Sequence, residues 1–244
     1  NVSSDALFFE GDIQDKKRVI QVLEEGWDVV IHLAAFKAAG ESMLRPVKYS
    51  ENNITGSLNL ITGCIKTGVK HFILSSSAAV YGEPSYLPVD ENHPKNPTNY
   101  YGYTKLCVEE NLSWYAQLKD FTYVSLRYFN AAGYDKEGRM RGLENNPANL
   151  IPVVMEVAMG IRPNLLVFGT DYDTIDGTGG RDYVHVTDLA KGHVLAADYL
   201  LANKGNLVVN LGSEGGLSVQ QILDTARKIT GKEIDAQYVD RRPG

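Results

Sequence analysis

The chain has 244 residues, 43% of them apolar and 22% charged, with a formal net charge of −6. That length can bury one large core, or a core with a smaller second lobe. The acidic balance, with no basic run longer than Lys16-Lys17-Arg18, argues against a nucleic-acid surface, and no apolar run approaches the ~20 residues of a membrane span.

Short apolar runs alternate with helical patterns along the chain. Ala6-Leu7-Phe8-Phe9 reads as a first strand, and Val29-Val30-Ile31-His32-Leu33 as a second with no charge inside it. A helix is predicted from Pro46 to Lys66, with Ile54, Leu58 and Ile61 at helical spacing. Gly68 ends it, and His71 to Ser75 forms the next strand. Pro84, Pro88, Pro94 and Pro97 keep 82–99 a loop. A helix from Tyr101 to Lys119 then leads into a strand from Tyr123 to Tyr128. Uncharged strands alternating with helices imply a parallel sheet covered on both faces, a Rossmann-like doubly wound α/β fold.

Beyond Asn130 the texture changes. Two polar loops, 135–149 and 171–182, are rich in Gly and Asp. A helix near Thr187 to Leu201, a strand Leu207 to Leu211, a helix Ser218 to Thr230 and a strand-like Ile234 to Val239 accompany them. Residues 1–130 therefore read as the sheet domain. Residues 131–244 read mainly as a smaller lobe interleaved with it, with segments returning to the sheet. The chain does not open on Met and stops in a loop at Arg241-Arg242-Pro243-Gly244, so it is expected to be part of a longer protein. Cys64 and Cys107 make neither a metal-ligand spacing nor a disulfide framework, and no signal peptide is visible. Both features point to a cytoplasmic location.

In open α/β sheets ligands sit beyond the carboxyl ends of the strands. Those positions here are Asp12, Ala34 to Lys37, Ser75 to Ser77 and Asn130. Just after the long loop comes Tyr101-x-x-x-Lys105, whose four-residue spacing brings phenol and ammonium to one face of a helix. A free tyrosine titrates near 10, so a tyrosine base at neutral pH needs a downward shift of about three units. One nearby cation typically supplies about 1–3. A second pair, Tyr115 and Lys119, lies roughly 21 Å further along the helix at ~1.5 Å per residue, and reads as packing plus a solvated lysine. Ser77, at the end of its strand, either holds a substrate hydroxyl against Tyr101 or caps strand-end backbone; Ser75 and Ser76 fit the capping reading. His32 and His71 read as satisfied structural residues, and His185 and His193 fit neither a metal pair nor a triad. No G-x-G-x-x-G occurs, since Gly177, Gly179 and Gly180 precede Arg181 and not a helix. A pyrophosphate loop is therefore expected upstream of Asn1 if the protein binds a dinucleotide.

A longer set of motifs runs in order from Phe8 to Gly244. It includes Gly11-Asp12-Ile13, His32-Leu33-Ala34-Ala35, Lys37-Ala38-Ala39-Gly40-Glu41-Ser42, Asn52-Asn53 and Ser75 to Gly82. It continues with Tyr101-Gly102-x-x-Lys105, Arg127-Tyr128-Phe129-Asn130, Asn149-Leu150-Ile151-Pro152 and the run Asp176 to Val186. In this order and spacing the chain resembles the extended short-chain dehydrogenase/reductases, and among them the UDP-glucose 4-epimerases.

The resemblance implies NAD as cofactor, a UDP-sugar as substrate and no metal. It makes 1–130 the NAD-binding domain and 131–244 mainly the UDP-sugar lobe. Asp12 and Ile13 would meet the adenine end of NAD, and Ala34 with Lys37 its ribose and phosphates. Asn52 and Tyr128 would lie near the nicotinamide end, with Ser75, Tyr101 and Lys105 also on the cofactor. Asn130, Asn149, Leu150, Phe168, Arg181 and Arg242 would grip UDP, the arginines matching its diphosphate. Tyr101, Lys105 and Ser77 would be catalytic. The implied reaction takes a proton from the sugar 4-hydroxyl to Tyr101 and a hydride from C4 to NAD. The hydride then returns to the other face of the 4-keto sugar, interconverting UDP-galactose and UDP-glucose. Related dehydratases carry Asp-Glu where this chain has Ala78 and Ala79, which cannot do acid/base work. Another epimerase or decarboxylase acting on UDP-glucuronate or UDP-N-acetylglucosamine is the alternative, and a non-catalytic relative the second. The resemblance also implies a homodimer paired through the helices at 46–66 and 101–119.

Overall fold

The computed structural model describes residues 3–135, 137–140, 147–213 and 215–241. Arg242, predicted to grip UDP, lies outside the described residues, as does part of the predicted 135–149 loop. In chain order the elements are α1 (Lys16–Leu23), β1 (Val29–His32), α2 (Ala39–Leu44), α3 (Pro46–Tyr49), α4 (Ser57–Thr67), β2 (His71–Ser77), α5 (Tyr100–Leu118) and β3 (Thr122–Tyr128). They continue with β4 (Asn130–Ala132), α6 (Leu150–Ala158), β5 (Leu165–Phe168), β6 (Gly180–His185), α7 (Val186–Leu201), β7 (Leu207–Leu211), β8 (Gly216–Ser218), α8 (Val219–Thr230) and β9 (Ala236–Val239). The described residues fall into two compact units, 3–129 with 188–211 and 130–187 with 212–241.

The first unit is built on a parallel sheet of order β1-β2-β3-β7. Strand alternation sorts its side chains between two layers. Phe72 and Leu74 of β2 and Tyr123 of β3 pack with Val19, Leu23, Ile61, Val108 and Leu112 from α1, α4 and α5. Ile73, Val124 and Leu126 pack on the other face with Ala196 and Leu200 of α7. Both faces are thus apolar, which is why these strands carry no Asp, Glu, Lys or Arg until Arg127 near the end of β3.

Capping chemistry sets the helix ends. Asp15 accepts from the amides of Lys17 and Arg18 at the start of α1, and Asn99 accepts from Gly102 N at 2.9 Å at the start of α5. Gly68 closes α4 with φ of 84°, in the left-handed region that only glycine adopts freely.

Two expectations differ from what forms. Ala6 to Phe9 is not a strand: it has no ladder partner among the described residues, and Leu7 and Phe8 stay 77% and 76% exposed. Strand propensity becomes a strand only when a neighbour satisfies the backbone groups. The predicted helix from Pro46 to Lys66 is helical throughout but not α throughout, because Ser50–Gly56 is a π-helix. The wider turn carries Asn53 to the backbone of Phe36, with both amide groups bonded there at 2.9 Å. It also brings Gly56 against Ile13, where a Cβ would lie 2.7 Å from Ile13 Cδ1.

The second unit holds a three-stranded sheet, β4-β6-β8, and a two-stranded one, β5-β9. Its core joins Val153, Val154 and Val157 of α6 to Leu165, Val167, Leu223 and Ile234. A capping box between Ser218 and Gln221 starts α8. Among the described residues no helix is long and apolar enough to cross a membrane.

Leu112 is fully buried in the first core and Leu118, six residues on, is 66% exposed. Leu112→Ala is expected to lower the unfolding free energy by about 2–5 kcal/mol and Leu118→Ala by less than about 0.5, read from urea denaturation midpoints.

Candidate active site

The ends of β2 and β3 and the start of α5 meet in the first unit. In register, Ser75, Ser76 and Ser77 lie beside Leu126, Arg127 and Tyr128. After Ser77 the chain makes one 3-10 turn, Ala78–Val80, with the Ala79 amide donating to Ser77 Oγ at 3.2 Å. That turn backs directly onto α5: a Cβ on Gly102 would sit 2.4 Å from the Ala79 carbonyl oxygen. Tyr101 N donates to Ser42 Oγ at 3.0 Å, so α2 satisfies one of the orphan donors of the α5 N-terminus. Tyr101 and Lys105, one turn apart, therefore face the strand ends.

Lys105 is 5% exposed and its ammonium donates to the Ser75 carbonyl at 2.7 Å. The same ammonium lies 5.9 Å from the centroid of the Tyr101 ring. The Ser77 hydroxyl, accepting from Ala79 N, also bonds the Tyr101 phenol. Tyr128 bonds His193 Nε2, and because His193 Nδ1 meets the Leu189 carbonyl at 2.8 Å, it is the phenol that donates.

Burial governs the charge states. It pushes the Tyr101 phenol up, with the Ser77 bond opposing, and Tyr128 up to about 12. It pulls the Lys105 ammonium down to about 8, with the Glu109 carboxylate opposing. His32 falls to about 3, first from burial and then from the charge of Lys105. Ser57 donates to the Asn53 carbonyl, so the 2.8 Å contact between His32 and Ser57 Oγ has Nε2–H as donor. The downward shift expected at Tyr101 from its lysine is absent. The ammonium is directed at a backbone carbonyl, and desolvation of the phenol outweighs the serine bond.

Exposed Ala34 and Lys37 follow β1, and half-buried Asn52 donates to Asn53 Oδ1 at 2.9 Å. Asn53 in turn reaches Thr104 Oγ1 on α5 at 3.2 Å. Exposed Asp12 caps the amide of Gln14 at 2.8 Å, and Asn59 of α4 holds the Ile13 carbonyl at 3.0 Å. Tyr115 packs beside the core with Lys119 exposed at the helix end.

In the second unit Asn130 donates to the Asp182 carbonyl at 2.9 Å, and exposed Asn149 precedes α6 without a side-chain cap. Leu150 opens α6, Phe168 ends β5, and Arg181 on β6 donates to the Gly180 carbonyl at 2.8 Å. Among the described residues Asn130, Asn149 and Arg181 share no hydrogen bond with one another.

Glu109 and Arg127 were not predicted as site residues. They form an ion pair with Arg127 Nη2 to Glu109 Oε2 at 2.7 Å, the arginine side chain 4% and the glutamate 5% exposed, directly behind Ser76. The spacing Tyr101, Lys105, Glu109 was the available signal: three side chains at intervals of four share one helix face.

A buried ammonium has three donors, and among the described residues only one is engaged, by Ser75. Residues 1–212 match the family model described as "NAD dependent epimerase/dehydratase family". The chain belongs to the NAD dependent epimerase/dehydratase family.

Relatives within the NAD dependent epimerase/dehydratase family extend the comparison. The UDP-glucose 4-epimerase of Streptococcus mutans is 42% identical over 242 residues, which is 98% of this chain and 72% of that one. The crystal structure of UDP-glucose 4-epimerase from Brucella ovis in complex with NAD matches with a TM-score of 0.94 at 44% identity, over 97% of this chain and 73% of that one. The enzyme from Bifidobacterium longum in complex with NAD+ and UDP matches with a TM-score of 0.90 at 41% identity, over 97% and 71%. The α/β Rossmann-like fold and the NAD cofactor are those of the family.

His32 gives the site a pH signature. The unfolded chain takes a proton there below its ordinary 6.5, and the folded chain not until about 3, so stability falls as pH drops through that window. Urea unfolding at stepped pH is expected to show His32→Gln losing stability less steeply than the parent, by up to about 1.4 kcal/mol per pH unit.

Proposed function

We propose that the protein interconverts UDP-galactose and UDP-glucose through a 4-keto intermediate. The observation that carries this reading is the serine-bonded phenol: Ser77 on Tyr101, with the Lys105 ammonium one turn further on. When bound, NAD supplies the hydride acceptor and donor for C4. Ser77 holds the sugar 4-hydroxyl against the phenol oxygen. Tyr101, once deprotonated, accepts the O4 proton as C4 is oxidised and returns it when the keto sugar is reduced on its other face. Lys105 supplies positive charge that favours the phenolate and, with its spare donors, holds the cofactor ribose. Ala78 and Ala79 support this reading over elimination of water, since neither side chain can move a proton.

The remaining roles follow the same reading. Asp12, Ile13, Ala34, Lys37, Asn52, Ser75 and Tyr128 contact NAD within a cofactor domain at 1–130. Asn130, Asn149, Leu150, Phe168, Arg181 and Arg242 hold UDP within a sugar lobe that lies mainly at 131–244. The NAD and UDP bound to the Bifidobacterium longum relative support both ligands. Cys64 and Cys107 are free thiols, which supports a cytoplasmic, reducing setting, and a homodimer is part of the proposal.

Conversion of UDP-galactose to UDP-glucose, followed with a coupling UDP-glucose dehydrogenase, is the test. Tyr101→Phe is expected to lower kcat by at least about 10²-fold while NAD stays bound. No product from the parent protein with NAD bound would move the substrate to UDP-glucuronate or UDP-N-acetylglucosamine.

A further inference from the structure

One buried charge pair stands behind the proposed reacting groups and is not used by them. Glu109 follows Lys105 by one turn on the same face of α5 and is 5% exposed. Its Oε1 accepts from Ser76 Oγ at 2.5 Å and from Arg127 Nε at 3.0 Å, and its Oε2 accepts from Arg127 Nη2 at 2.7 Å. Ser76 and Arg127 are register partners on β2 and β3. One carboxylate therefore ties α5 to both strands at a single rung. That rung is flanked by the two residues the site depends on: Ser75, whose carbonyl holds Lys105, and Ser77, whose hydroxyl bonds Tyr101. Arg127 is fixed from behind by Tyr81 Oη at 2.7 Å and the Glu91 carbonyl at 3.3 Å, so the anchor cannot swing away.

We propose that Glu109 is a positioning residue for the Tyr101–Lys105 pair, setting the strand-end serines through Ser76 from one turn beyond Lys105 on the same helix face. The inference deepens the proposed epimerase reading and rests on it. The titratable and charged groups around Lys105 come from each packed element: His32 on β1, Arg127 and Tyr128 on β3, Tyr101 and Glu109 on α5. Burial keeps His32, Tyr101 and Tyr128 uncharged at neutral pH. Glu109 and Arg127 are then the charges left, and the carboxylate is the one that favours a cation. Removing it leaves Arg127 without its ion-pair partner and takes from Lys105 the carboxylate that favours its charge.

The test compares the parent with Glu109→Gln in the NAD-loaded protein, with two readouts. The first is the titration of Lys105 by NMR of 13Cε-labelled lysine, assigned with Lys105→Met. The second is the pH profile of UDP-galactose epimerisation. Glu109→Gln is expected to move the Lys105 midpoint, and with it the alkaline limb of kcat, down by about one pH unit. At pH 8 kcat should fall about fivefold with KM within twofold. A purely structural role would lower the melting temperature and leave midpoint and limb in place, which overturns the proposal. Should Glu109→Gln not fold, Ser76→Ala decides, because it cuts the tie to the strand and keeps the ion pair. A kcat about threefold lower at unchanged KM supports the proposal, and a parent-like kcat overturns it. A parent protein inactive on UDP-galactose contradicts the epimerase reading alone, since the Lys105 titration still reports on Glu109.

Discussion

Burying the Lys105 ammonium is the constraint around which the rest of the site is arranged. A lysine at 5% exposure loses most of its hydration, and a fall from 10.5 to about 8 corresponds to about 3 kcal/mol against the charged form. The fold tolerates this because one donor meets the Ser75 carbonyl and a carboxylate lies one turn away. Both partners come from the β2 end and the same helix face, so the position of α5 over β2 is what makes the charge tolerable. Gly102 is part of that arrangement, since any side chain there would meet the Ala79 carbonyl and push the helix off the strand end.

A second consequence is that the charges compete. The ammonium helps hold His32 neutral, and the neutral ring then serves as a donor to Ser57 at the root of α4. Tyr101 is pushed upward, away from what a base requires, because desolvation outweighs one serine bond. A phenol raised by burial needs further positive charge before it can act as a base. The site thus holds Tyr101 protonated, and the Ser77 bond is what opposes burial there.

Much of this was legible in the residues, and the failures have physical causes. β7 forms over the predicted Leu207–Leu211, and α5 starts one residue before its predicted position because Asn99 caps it. Tyr101 and Lys105 share a helix face by spacing alone, and Ser77 ends an uncharged run. Ala6 to Phe9 failed because strand identity is a property of a pair and propensity describes one segment. The π-helix at Ser50–Gly56 escaped because apolar spacing does not distinguish 3.6 residues per turn from a slightly wider turn. Glu109 and Arg127 meet only through the register of β2 on β3 and the placement of α5, neither of which is written locally. The direction of the Tyr101 shift depends on burial, which spacing does not report.

The central claim is that C4 of the sugar is oxidised and reduced within one site, with Tyr101 moving only the oxygen-bound proton. The direct measurement is the fate of deuterium at C4. UDP-galactose labelled there should give UDP-glucose with the deuterium retained at C4, and unlabelled substrate in heavy water should give product with none. Loss of label to solvent, or its uptake from heavy water, would mean that carbon and not oxygen gives up the proton. That result would contradict the account.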